Sequence, residues 1–207
     1  MDARRDEVSG RERAAAVIAR LRLVAPAFLV ACLLIAGSAR PALALTPVGE
    51  YEIKAAFLVN FAAFVHWPPA AFANAASPFV VCIAGDDPFG AAFEPFKQTS
   101  VAGRSLVVRP IDSKAALPGS CHILFIAGSE APRLPGILGA LGKAAVLTAG
   151  DLENFAGDGG MIQFYLRDEK IRFEINQQTL EAAGLKIDAR LLKLSSPARG
   201  VATEGRR

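Results

Sequence analysis

Few side chains in this 207-residue chain could carry chemistry, and their positions limit what that chemistry would be. There are two histidines. His66 stands beside Trp67 and Pro68 at the end of an apolar helical stretch, and His122 lies within a run of apolar residues, so each reads as a structural or interface histidine rather than a general base. Asp86 and Asp87 open the segment GDDPFG (85–90), which leaves a predicted strand and enters a predicted helix, the place where open parallel sheets bind ligands. Asp86, Asp87 and Gly90, with Ser129 and Glu130 after a later buried strand, are therefore the candidates for a small-molecule cleft. Two adjacent carboxylates repel a phosphate rather than cradle it, and adjacent residues of one turn seldom converge on one cation. Asp151 and Asp158 flank a loop ending in Gly159 and Gly160 and read as turn and surface residues. No cysteine and histidine cluster has zinc spacing, and neither a G-x-S-x-G elbow nor a P-loop occurs. The inventory predicts no catalytic residue, no metal and no cofactor, and it favours recognition over catalysis.

The remaining chemical pair is Cys82 and Cys121, whose setting depends on where the chain works. Its first 22 residues carry Arg4, Arg5, Arg11, Arg13, Arg20 and Arg22. An apolar run from Leu23 to Ile35 and small residues ending Ala42, Leu43, Ala44 follow, the order of a secretory signal peptide with an A-x-A cleavage point after Ala44. The run is short of the roughly 20 residues that span a bilayer. A lipobox at Leu29 to Cys32 is the competing pattern, but the apolar run continues past Cys32. Segment 1–44 holds seven of the 23 basic and four of the 20 acidic residues, so the remainder carries sixteen of each. The mature chain is then neutral, with no basic patch for nucleic acid. It keeps two cysteines in an oxidising compartment, which makes them a disulfide candidate. Neighbouring strands come within bonding range. If the terminal glycines of the two strands aligned, however, the cysteines would be offset by four residues, roughly 13 Å. A bridge and two buried free thiols both stay open at this point.

The elements that must position these residues can be read from pattern. Apolar residues Ile53, Phe57, Phe61, Phe64 and Val65 recur at helical spacing over 50–65, and the pair Pro68 and Pro69 stops the helix. FVVCIAG (79–85), SLVVRP (105–110), CHILFIAG (121–128) and AAVLTAG (144–150) are continuous apolar strands, with a glycine-weakened crossover helix at 133–143. MIQFYL (161–166) and IRFEIN (171–176) flank the turn RDEK and predict an antiparallel hairpin, with Ile171, Phe173 and Ile175 buried and Arg172 and Glu174 wet. Asn176 is positioned to cap a short helix ending at Gly184, and LKIDARLLKL (185–194) returns to the core. The expected fold is α/β: a single Rossmann-like or flavodoxin-like three-layer domain over 45–194, with a mostly parallel sheet, a C-terminal antiparallel hairpin and a flexible tail at 195–207.

AAFLVNFAAFVHWP (55–68), CIAGDDPFG (82–90), GR (103–104), CHILFIAGSE (121–130), VLTAGDLENF (146–155), GGMIQF (159–164), IRFEIN (171–176) and AGLKIDARLLKL (183–194) follow one another in this order. Together these segments resemble the YfiR family, also called YfiR/HmsC. The resemblance implies a periplasmic repressor that contacts the periplasmic region of an inner-membrane diguanylate cyclase, or a sensor kinase, and holds cyclic-di-GMP signalling down. It also implies an outer-membrane lipoprotein that can sequester the repressor, and a homodimer is a further expected form. Cys82 and Cys121 fall at cysteine positions of the family motif, whose disulfide state is tied to activity. A second mature pair is absent, so a two-disulfide scheme does not transfer. For partner contact the candidates are Phe64, His66 and Trp67 at the end of the first helix, and Arg172, Glu174 and Arg190 on the hairpin and the segment after it. Against them stands the plainer assignment of Phe64 and Trp67 to the core and of the charges to a solvated face.

Overall fold

The computed structural model describes residues 47–114 and 120–197. The expected signal segment 1–44, its lipobox and cleavage point, and residues 198–207 of the expected tail lie outside the described residues. In chain order the elements are α1 (Pro47–Phe64), β1 (Val65–His66), β2 (Phe79–Ala84), β3 (Ser100–Val101), β4 (Arg104–Ile111), β5 (Ile123–Ile126), α2 (Leu134–Leu141), β6 (Leu147–Gly150), β7 (Ile162–Arg167), β8 (Lys170–Ile175), α3 (Gln177–Ala182), β9 (Lys186–Ile187), α4 (Ala189–Leu194) and β10 (Ser196–Pro197).

Eight strands form the main sheet, in the order β10-β8-β7-β6-β5-β2-β4-β3. From β4 to β7 all neighbours are parallel, whereas β8 returns antiparallel to β7 as the expected hairpin. The short strands β1 and β9 pair antiparallel as a separate two-stranded sheet. Continuous apolar strands work here because both faces are covered. Phe79, Val81 and Ile83 of β2 share one core cluster with Ile123 and Phe125 of β5 and with Leu58 and Phe61 of α1. Val80, Cys82 and Ala84 share the other with Leu124, Ile126 and the α2 residues Leu134 and Ile137. On the α1 side the rings of Phe57, Phe61, Phe164 and Phe173 interlock at centroid distances of 5.2 to 6.5 Å. Such pairs contribute about 0.5–1.5 kcal/mol each beyond their buried area.

Several expectations need correction. The buried stripe of α1 is Ala55, Leu58, Val59, Phe61 and Ala62, while Ile53 is exposed and Phe57 and Phe64 are only partly buried. A helix that is apolar nearly all round offers several stripes of the same period, and packing selects the one whose alanines let the sheet approach. GDDPFG opens no α-helix: Asp87 Oδ1 accepts the Phe89 N–H in a local turn, Gly90 has φ +51°, and a 3₁₀ turn at Glu94–Phe96 follows. Among the described residues, the connection from β5 to β6 carries the helix α2, and that from β8 to its parallel partner β10 carries α3 and α4. The architecture is a mixed α/β fold on a mostly parallel sheet, with a small separate antiparallel sheet. Past Leu194, β10 pairs in parallel with β8, and Tyr165 Oη donates to Ser196 Oγ at 2.7 Å.

Candidate functional site

The residues expected to meet a partner fall on two surfaces. Val65 and His66 pair with Ile187 and Lys186, which brings the end of α1 against the start of α4. There Asp188 caps α4 by accepting the Arg190 N–H, and Arg190 grips the same carboxylate through Nε at 3.1 Å and Nη2 at 2.7 Å. These hydrogen bonds, the side-chain ones above all, hold the Asp188 carboxyl down at about 2. The guanidinium is thereby fixed over the Phe64 ring, 5.2 Å from its centroid. Phe64, exposed His66 and exposed Arg190 therefore form one preorganised patch.

Trp67 belongs to that patch only in part. It is half-buried, stands edge-on to Phe79 at 5.0 Å, and its Nε1–H donates to the His122 carbonyl at 3.2 Å. Arg172 lies on the opposite side of the sheet. Phe164 and Phe173 pack toward α1, so their alternating neighbours Tyr165 and Arg172, partners in register, face away from it. Glu174 shares that outer face but is only 6 % exposed, not wet as expected, because β10 lies alongside it with Ser196 as its register partner. Gln163, Tyr165, Leu166, Arg167 and Glu174 line a groove of about 330 Å³ there.

At the carboxyl ends of β2 and β5, where the cleft was expected, the chain makes close contacts with itself. Asp86 N–H donates to Ser129 Oγ at 2.9 Å, and a side chain on Gly85, at φ +90°, would collide with Ser129 Oγ and Glu130 Cγ. Glu130 is 2 % exposed and accepts from Arg133 Nε at 2.8 Å and Ser113 Oγ at 2.6 Å. The Arg133 hydrogen bonds lower its pKa despite burial, so it is a neutralised structural carboxylate. Asp86, Asp87, Gly90 and Ser129 stay at the surface around it. Among the described residues no three histidine, cysteine or acidic side chains group as metal ligands.

Cys82 and Cys121 form a disulfide with Cα atoms 5.8 Å apart. The expected offset is resolved because Cys121 and His122 precede β5 rather than open it. Cys82 aligns with Leu124, and Cys121 leaves the strand line to fold onto the face that carries Cys82. His122 is fixed beside it, 4 % exposed, with both ring nitrogens occupied. Nδ1 accepts the Val80 N–H at 3.0 Å, and Nε2–H donates to the Ala71 carbonyl at 3.1 Å, which defines the neutral Nε2–H tautomer. The ring stacks on Phe72 at 4.3 Å and Phe79 at 5.0 Å. Burial lowers its pKa below 6.5, with the Arg104 charge adding to the effect against the Ala71 hydrogen bond.

One cluster escaped the sequence pattern. Lys54, 1 % exposed on α1, places Nζ 2.5 Å from both Glu50 Oε1 and Asp151 Oδ2, and Tyr51 Oη donates to Asp151 Oδ2 at 2.8 Å. Burial, followed by the Asp151 hydrogen bond, raises the Tyr51 pKa far above 10, so the phenol stays a donor. The helical spacing of Glu50 and Lys54 was visible as an i, i+4 pair; that it faces inward toward Asp151 was not.

Among the described residues no helix is long and apolar enough to cross a membrane. Compared with known proteins, the chain matches a family described as YfiR/HmsC-like over residues 51–196, which takes in nearly all of the described domain. No curated protein matches it.

Proposed function

We take as premise that the chain belongs to the YfiR/HmsC-like family, and we propose that it represses an inner-membrane signalling enzyme, a diguanylate cyclase or a sensor kinase, by direct contact with that enzyme's periplasmic region. The family is one of periplasmic regulators of cyclic-di-GMP signalling and is regulatory rather than catalytic. The match across 51–196 is the observation that carries this reading. The domain supports it by spending its charged side chains on itself: Lys54, Glu130 and Asp188 are each committed to internal partners.

The contact surface is the Phe64, His66 and Arg190 patch. Its ring and guanidinium are already locked by Asp188 and by the β1–β9 pair, so binding orders little that was free. Arg172 on the hairpin is a second, separate contact, open to an outer-membrane lipoprotein or to a second copy. Repression then follows from population shift. A repressor that favours the enzyme's inactive state by about 1.4 kcal/mol shifts the balance tenfold.

The test replaces Arg190 by Glu in the exported protein and measures cyclic-di-GMP in cells, with circular dichroism to confirm folding. A folded Arg190→Glu protein should fail to lower cyclic-di-GMP. Full repression by that variant would remove the patch from the contact.

A further inference from the structure

We infer that His122 is an acid-operated latch: its protonation releases the segment from Trp67 to Phe72, which the neutral ring holds against β2. The ring joins two pieces of chain, β2 and the segment that precedes it. It accepts from Val80 of β2, donates to Ala71 of the 3₁₀ turn Pro69–Ala71, and stacks on Phe72, while its own carbonyl accepts from Trp67.

Protonation reverses the sign of the most specific of these contacts. The imidazolium carries a hydrogen on Nδ1, which then confronts the Val80 N–H across 3.0 Å, donor against donor. Among the described residues no carboxylate contacts the ring to offset a buried charge: β2 contributes Phe79 and Val80, the segment contributes Ala71 and Phe72, and β4 contributes Arg104. That one charged neighbour is itself cationic. Its guanidinium already lies 3.9 Å from the Phe72 centroid, so the ring that could have stabilised an imidazolium by cation–π attraction has a cation on it. The proton therefore enters only as the ring leaves its site.

Arg104 also shows how the opened segment would be retained. Its Nη1 donates to the carbonyls of Asn74, Ala75 and Ser77, at 3.0, 3.0 and 2.7 Å. Loss of the His122 contacts frees the Trp67 to Phe72 end while this clamp keeps the far end attached. The movement is a local opening rather than unfolding. Because Trp67 adjoins His66, the opening reaches the proposed contact patch. An effect on partner affinity rests on the function proposed above, but the latch itself does not.

Trp67 is the only tryptophan and His66 the only other histidine, which makes the test direct. In purified His66→Gln protein, Trp67 emission should shift to longer wavelength in a reversible one-proton step as pH falls from 7.5 to 5, with its midpoint below 6.5. In His66→Gln/His122→Asn the emission should stay constant over the same range. Constant emission in the single variant, or a step that survives in the double variant, would overturn the latch. Imidazole ¹⁵N spectra of the single variant provide the check if the double variant does not fold. They should show Nδ1 unprotonated at pH 7.5 and protonated in parallel with the Trp67 change; protonation without that change also overturns it. None of these readouts needs the partner, so their failure would leave the repression reading standing.

Discussion

Replacing Lys54 by Met tests how the first helix is fastened to the end of the sheet. The substitution keeps the length of the stem and removes the ammonium that lies 2.5 Å from Glu50 and from Asp151. Two carboxylates then face each other without their cation, and Tyr51 keeps Asp151 as an acceptor. Breaking a fully buried pair costs about 3–5 kcal/mol. Here the Glu50 and Asp151 side chains are 32 % and 16 % exposed, so water recovers part of the loss and about 2–4 kcal/mol is expected. For a domain of this size that lowers Tm by about 6–12 °C, a large share of a total stability of roughly 5–15 kcal/mol. Urea and thermal denaturation at pH 7 measure it. Adding Asp151→Asn should recover at least about 1 kcal/mol, because it removes one of the opposed charges and keeps an acceptor for Tyr51. A Lys54→Met protein within about 0.5 kcal/mol of the parent, or a double variant less stable than the single, would refute this reasoning.

The Cys82–Cys121 bridge closes a loop of sequence separation 39, so reduction or Cys82→Ser should cost about 4 kcal/mol on the chain-entropy account; urea midpoints that do not respond to reductant would contradict it. Glu169 sits at φ +57° in the two-residue hairpin turn after Asp168 at φ +51°, and Glu169→Gly should raise stability by roughly 1 kcal/mol in chemical denaturation. Glu130 has its folded pKa lowered from 4.5, so the unfolded chain binds its proton first. Its stabilisation is present above pH 4.5 and fades as pH falls below that value, a loss that should vanish in Glu130→Gln. His122, also lowered, loses its contribution as pH falls from 6.5, and stability curves of the two variants separate these windows.

What could be read from residues alone followed from local rules. The buried strands, the hairpin, the Asn176 cap with Thr179 as donor and the stop at Gly184 with φ +72° all rest on neighbours in sequence. The inward stripe of α1, the burial of Lys54 and the covering of Glu174 depend on partners 97 or 22 residues away, which no periodicity encodes. The disulfide was legible as a pair and not as a geometry, since Cys121 reaches Cys82 only by leaving the strand. Trp67 shows the same limit: an aromatic at a helix end is a candidate anchor by type, but its indole N–H is committed to the His122 carbonyl. Phe64, His66 and Arg190, by contrast, do come together, through a two-residue strand pair too short to be seen as a strand in sequence.

Restraint of a membrane enzyme of cyclic-di-GMP signalling, the role proposed for this domain, must show in the nucleotide level of the cell. The most direct measurement is the cyclic-di-GMP content of cells lacking the protein, compared with cells resupplied with the exported chain. Cyclic-di-GMP should rise on deletion and return on resupply with the parent but not with Arg190→Glu. An unchanged nucleotide level on deletion would contradict it.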